Sequence, residues 1–198
     1  MNMIVDLLPE TVEIDGEEYR INTDFRISIM FELLMQDDEL EDSEKTMQAL
    51  RLYYPIIPKN KSQAVEKIIW FYRCGKESNQ NEVDAGGSKQ KQIYSFDYDD
   101  GYIYEAFLQE YGIDLQDIED FHWWKFRSLF KGLSNDTEFV KIMGYRSMNI
   151  TSKMSKEQKQ FYKKMQSIHA LPVSHKEKEA DKLLAEALVN GEDITGLL

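Results

Sequence analysis

Between Ile118 and Lys131 the chain reads IEDFHWWKFRSLFK. Its apolar side chains (Ile118, Phe121, Trp123, Trp124, Phe126, Leu129, Phe130) fall on nearly every side of a helical wheel. A helix with so little polar circumference belongs in the middle of a fold, not on its surface. Asp117 offers an N-cap and Gly132 a stop, so the spacing predicts a helix over 118–131. The rest of the chain must cover it, and 198 residues suffice for one compact domain or two small ones. The indoles of Trp123 and Trp124 are expected on two adjacent faces, bridging two neighbouring helices, with a partner for each N–H. Burial in the core is the favoured reading of the pair, and a partner-binding anchor is the alternative.

The expected cover is mostly helical. Val12 and Ile14, then Tyr19 and Ile21, alternate with polar residues around Asp15-Gly16 and predict a hairpin. A four-residue loop over 15–18 pairs Ile14 with Tyr19 and Val12 with Ile21. It is preferred to a two-residue loop, which sets Ile14 opposite Glu17. A hairpin this small needs helices beneath it. Asn22-Thr23-Asp24 then offers caps for a helix from Phe25 to Met35, striped by Ile27, Met30, Phe31 and Leu34. A second helix, from about Ser43 to Tyr53, presents Met47, Leu50 and Tyr54 and stops before Pro55 and Pro58. Asn60 and Gln63 read as a capping box for a third, striped by Ala64, Val65, Ile68, Ile69 and Tyr72 and ended by Gly75.

Residues 76–92, KESNQNEVDAGGSKQKQ, are polar, contain Gly86-Gly87 and lack aromatics, which predicts a flexible linker or loop. The expected organisation is therefore 1–75, hairpin plus helices; 76–92, linker; 93–150, an aromatic-rich helical part; and 151–198, a C-terminal helical hairpin. The first and third units are expected to share an interface, because the aromatic helix has more apolar surface than its own half covers. In the third unit Asp97, Asp99 and Asp100 sit where a helix dipole favours acids, ahead of a stripe of Ile103, Tyr104, Phe107, Leu108 and Tyr111 that Gly112 ends. Asn135 and Glu138 suggest a capping box for a short helix to about Tyr145. In the last unit Ser155/Gln158 and Ser174/Glu177 suggest two more. The stripes there are narrow: Phe161, Met165 and Ile168, then Ala180, Leu183, Leu184, Ala187 and Leu188. Leu183, Leu184, Ala187 and Leu188 are the candidate partner-binding residues. The expected fold class is mainly α, with one small N-terminal β-hairpin and a C-terminal helical hairpin.

Charge and chemistry narrow the function classes. The 24 bases and 36 acids give a net charge of −12, and residues 1–50 alone hold 3 bases and 14 acids. Nucleic-acid binding depends on neutralising phosphates, so no nucleic-acid role is expected. The acidic first quarter reads as a solvated surface, or as a face for a basic protein partner. No apolar run long enough to span a membrane is present, and Met1 to Asp6 lacks the basic start of a secretory signal. One cysteine, Cys74, fits a reducing cytoplasmic setting. Asp97-x-Asp99-Asp100-Gly101 is out of register for an EF-hand loop: with Gly101 at position six, Phe96 and Tyr98 fall where acids are needed. His122, His169 and His175 lack ligand spacing, and Cys74 has no histidine near it in sequence. No enzyme activity, metal or cofactor is expected.

Several segments together resemble a known family. They are Asp15 to Arg26 (DGEEYRINTDFR), Ile69-Trp-Phe-Tyr72, Tyr94-Ser-Phe-Asp97, Tyr111-Gly-Ile-Asp-Leu115 and His122-Trp-Trp-Lys-Phe-Arg127. They resemble the bacteriophage gene-product-fifteen family of long-tailed phages and prophages of Gram-positive bacteria, over roughly residues 10–150. Tyr111, Gly112, His122, Trp123, Trp124, Phe126 and Arg127 are its marker residues here. The resemblance implies a gene of the tail module and a tail-assembly chaperone. Such a protein binds the long, apolar, helical tape-measure protein before the tail tube polymerises, acts in the host cytoplasm and is absent from the mature virion. The tail-tube protein and further copies of the same chain are secondary partners. The alternative is a structural virion component, such as a tail-completion or head–tail joining protein. Nine methionines suit the chaperone reading, since flexible thioethers adapt to varied apolar surfaces.

Overall fold

The computed structural model describes residues 2–76 and 92–172. The fold is mainly α with one small hairpin. In order it runs β1 (Thr11–Ile14), β2 (Glu17–Arg20), α1 (Phe25–Gln36), α2 (Asp42–Tyr53), α3 (Lys61–Tyr72), α4 (Asp100–Tyr111), α5 (Trp123–Gly132), α6 (Glu138–Ser147) and α7 (Lys156–Ile168). Most of the expected linker, the Ser174 cap and the stripe Leu183, Leu184, Ala187 and Leu188 lie outside the described residues.

The hairpin closes with two loop residues, not four. Ile14 pairs with Glu17 and Val12 with Tyr19. Asp15 and Gly16 both take positive φ, 52° and 80°. That is the turn whose twist matches the strands, so it overrides the tidier apolar pairing of the longer loop. A second constraint acts on the same turn. The Asp15 N–H donates to Gln63 Oε1 (2.9 Å), and Asn60 Nδ2 donates to Asp15 Oδ1 (3.0 Å). Asn60 still caps α3 by accepting from the Gln63 N–H, but the Gln63 side chain serves the hairpin and does not complete a capping box. The start of α3 is thereby fastened to the turn.

The aromatic helix begins at Trp123, five residues later than expected, with His122 and not Asp117 as its cap. Competing backbone bonds explain the shift. The Phe25 N–H donates to Phe121 O (2.9 Å), and the Trp123 N–H to Thr23 O (2.7 Å). Asp24 and His122 thus form an antiparallel bridge that holds 121–123 extended. Similarly α6 is capped by Thr137, whose hydroxyl accepts from the Val140 N–H, and not by Asn135. The Ser155/Gln158 capping box of α7 is present as expected.

Several stripes are rotated from their expected positions. Inward residues are Phe25, Ser28 and Phe31 on α1, Ala64, Ile68 and Phe71 on α3, and Ile103, Ala106 and Phe107 on α4. Met30, Ile69 and Leu108 are exposed instead. One continuous core runs from Val12 and Ile14 through Tyr53, Phe71 and Phe107 to Phe139. It joins the residues on both sides of 77–91, and its middle is α5.

Candidate functional site

The family-marker residues converge on one knot around α5. At its start, the His122 ring spans two segments. Nδ1 accepts from the Trp124 N–H (3.1 Å), and Nε2 lies 3.2 Å from Pro9 O. An accepting Nδ1 requires the proton on Nε2, so His122 is the neutral Nε2–H tautomer, donating to Pro9. Burial pushes the His122 pKa below its usual value. Lys125 acts in the same direction, and the Pro9 bond, Glu10 and Asp120 oppose it.

Both indoles are fully buried. Both reach the C-terminal end of α3, where each N–H has its partner. Trp123 Nε1–H donates to Tyr72 O and Trp124 Nε1–H to Phe71 O, each at 2.8 Å. The last carbonyls of a helix lack intrahelical donors; here the Trp123 indole supplies Tyr72 O, and the Trp124 indole joins the Cys74 N–H at Phe71 O. The chain beyond must turn away sharply to admit the rings. Cys74 (φ 58°) and Gly75 (φ 72°) do this, with the Gly75 N–H donating to Trp70 O. A Cβ on Gly75 would stand 2.9 Å from Trp124 Cη2, so both conformation and space demand glycine. The Cys74 thiol is pushed up by burial, against the pull of Arg127, Lys131 and Lys76. A half-buried thiol so raised is a weak nucleophile.

Phe126 is the centre of the knot. It stacks on Phe25 of α1 (4.8 Å, 17°) and on Phe107 of α4 (4.8 Å, 7°), so three rings from three helices form one pile. The Arg127 guanidinium lies over the Trp123 ring at 5.5 Å and donates to Tyr94 Oη at 3.4 Å. Tyr72 donates its hydroxyl proton to Glu32 Oε2 beside it. Tyr111 Oη–H donates to Leu129 O (2.9 Å), and Gly112 takes the left-handed cap of α4. Arg26 Nη2 donates to Leu115 O and Ile118 O, tying the Asp15–Arg26 segment to the Tyr111–Leu115 segment. The knot is occupied by its own side chains, so what the marker residues build is architecture.

A second polar cluster had no sequence signal. Asp99 and Arg146 form a buried, two-point ion pair at 2.6 and 2.9 Å. Asp99 also accepts from the Ser95 N–H, while Arg146 donates to Ile93 O and, through Nε, to His169 O at 2.6 Å. The sequence reading placed Asp99 with Asp97 and Asp100 as a helix-end acid. Its partner lies 47 residues away, and neither periodicity nor spacing couples the two.

Surface hollows among the described residues include two of similar size. One, about 500 Å³, is polar and open, with Glu10, Arg20, Asp24 and Asp120 on its walls. The other, about 480 Å³, runs between α1 and α2 past Met30, Leu34, Gln48, Arg51 and Leu52. Among the described residues, no three His, Cys, Asp or Glu side chains are grouped to hold a metal. Nor is any helix among them long and apolar enough to cross a membrane. Exposed apolar side chains include Ile4, Val5 and Leu7 ahead of β1, Met30 and Met35 on α1, Ile56 after α2, Ile69 on α3, Leu108 on α4, and Phe161 and Ile168 on α7.

No curated protein and no solved structure matches this chain. A family model described as Bacteriophage Gp15 protein does, over residues 4–171, a span that takes in the hairpin, all seven described helices and every segment of the knot. The chain is therefore a member of the bacteriophage Gp15 protein family.

Proposed function

We propose that this phage protein is a non-enzymatic tail-assembly chaperone. It holds apolar helical segments of the tape-measure protein in the host cytoplasm until the tail tube polymerises, and it does not remain in the virion. Family membership carries this reading. Physical support comes from the division of labour in the structure: the marker residues are consumed in the knot, while Met30, Met35, Phe161 and Ile168 stand exposed on helices. Scattered exposed apolar residues are ordinary. Met30 and Met35 share one amphipathic helix and Phe161 and Ile168 another, which is what a helix-binding protein presents. The sequence adds the stripe Leu183, Leu184, Ala187 and Leu188 as a further covering surface.

Co-expression tests the proposal. With this protein present, the tape measure should stay in the soluble fraction and co-purify with it. Leu184→Asp should return the client to the pellet with little change in the melting temperature of the chaperone. A tape measure equally soluble alone rules the proposal out. So does recovery of this protein from purified virions in stoichiometric amount, which establishes the structural-component reading in its place.

A further inference from the structure

Helix α1 turns Phe25, Ser28 and Phe31 inward. Met30 and Leu34, one turn apart, face the groove shared with α2, and Met30 is 43% exposed. The two helices run antiparallel. Lys45 Nζ donates to Met35 O at one end, and Asn22 Nδ2 donates to Leu52 O at the other. The ends differ in charge. Residues 36–45, where α1 stops and α2 starts, hold six acids and one base. Arg51 lies toward the far end, with Leu52 beside it. The groove thus has an apolar floor with Arg51 on its wall, and the acidic segment 36–45 joins its two helices at the opposite end.

We propose that this groove seats an amphipathic helix of a partner protein. Its Leu or Met side chains lie on Met30, Leu34 and Leu52. Its Lys or Arg residues lie over the acidic end, and an acidic residue lies near Arg51. The floor suits a helix packed by its apolar stripe, and the thioether of Met30 adapts to varied side chains. The acidic segment and Arg51 set the direction of the helix and raise its association rate more than its affinity. The inference rests on the chaperone reading only for the expectation of a helical client; it assigns the surface and the chemistry of that client.

The test uses the full chain and two synthetic amphipathic peptides of about 20 residues, long enough to be helical. Both carry Leu on one face; one ends in Lys residues, the other in Glu at the same end. By fluorescence anisotropy the Lys-ended peptide should bind at least about tenfold more tightly, and Leu34→Asp should lower its affinity at least about tenfold. Met30→Gln, at an exposed position, should lower it in the same direction and stands in if Leu34→Asp does not fold. Asp37→Lys combined with Glu39→Lys should invert the preference between the peptides. Unchanged binding by a folded Leu34→Asp or Met30→Gln, or a preference that does not invert, overturns the proposal. Conversion of a wild-type dimer to a monomer by Leu34→Asp also overturns it, by assigning the groove to a second copy. The two readings fail separately. A groove that binds peptide in a protein that leaves the tape measure insoluble rejects the chaperone alone. A tape measure still solubilised by a protein whose groove binds no peptide rejects the groove alone.

Discussion

His122 shows how much one side chain can be asked to do. Its two ring nitrogens are committed in opposite senses, one accepting at the start of α5 and one donating to the segment ahead of β1. Protonation turns the acceptor into a donor aimed at the Trp124 N–H, and it places a charge in a site from which burial already disfavours it. The folded-state pKa therefore lies below the unfolded value of 6.5. The unfolded chain binds the extra proton first, so this contribution to stability is complete above about pH 6.5 and is lost as the pH falls below it. His122→Asn retains an oxygen that can cap α5 and removes the titration. At pH 7 the variant should cost about 1 kcal/mol, for the lost Pro9 bond. Between pH 7 and pH 5 its stability should fall less than that of the wild type, as read by urea unfolding at each pH. Equal slopes would show that His122 does not titrate on unfolding. The residue type was visible in the sequence. Its role was not, because Pro9 and Trp124 are neighbours only after the chain has crossed itself.

At the scale of elements, legibility followed locality. Helix existence and caps such as Asn60 and Ser155 depend on residues a few positions apart, and the structure has them where the sequence places them. Two of the misplaced features had a distant competitor, whereas the cap of α6 passed from Asn135 to Thr137 by a local choice. Thr23 and Phe25 hold 121–123 extended and delay α5, and Gln63 and Asn60 grip the hairpin turn. Helix α7 illustrates the difference between forming and docking. Its capping box and periodicity make it a helix, yet none of its residues is buried. It is held chiefly by polar bonds: Gln166 Nε2 donates to Tyr145 O and Met148 O, and Arg146 Nε donates to His169 O. The aromatic contacts of Tyr145 with Phe161 and His169, each at 6.0 Å, add to these. Two substitutions should therefore separate. Gln166→Ala should speed amide exchange across 156–168 and leave the melting temperature nearly unchanged. Arg146→Met leaves the Asp99 carboxylate buried without its cation, with only the Ser95 N–H still donating to it, and should cost about 3–5 kcal/mol of global stability. If Gln166→Ala lowers the global melt as much as Arg146→Met does, α7 is an integral part of the core.

For the whole molecule, the question is whether the chain before residue 77 is a unit in its own right. Its sequence looks like one, with a hairpin, three capped helices and a polar stretch after them. The contacts say otherwise. Phe25 has its ring against Phe126, and Tyr72 has its ring on Trp123 at 5.3 Å. Tyr72 O accepts from one indole of α5, Phe71 O accepts from the other as well as from the Cys74 N–H, and the N–H of Phe25 donates to Phe121 O. Removing α5 uncovers a large aromatic face and leaves polar groups that had been paired inside the protein to find water in a site built for rings. Truncating even one buried Trp or Phe costs about 3–5 kcal/mol, and a domain's whole stability is about 5–15 kcal/mol. Several such contacts are lost together. Residues 1–75 expressed alone should then retain helical circular dichroism but lose a cooperative thermal transition and bind a hydrophobic dye. Adding a separate chain of residues 92–172 should restore the transition, since that piece carries α5 and the rings of Phe107 and Phe126. A fragment 1–75 that melts as sharply and at the same temperature as the full chain would mean that α5 is only laid against a finished domain. The knot around Trp123 and Trp124 would then be an interface and not the core.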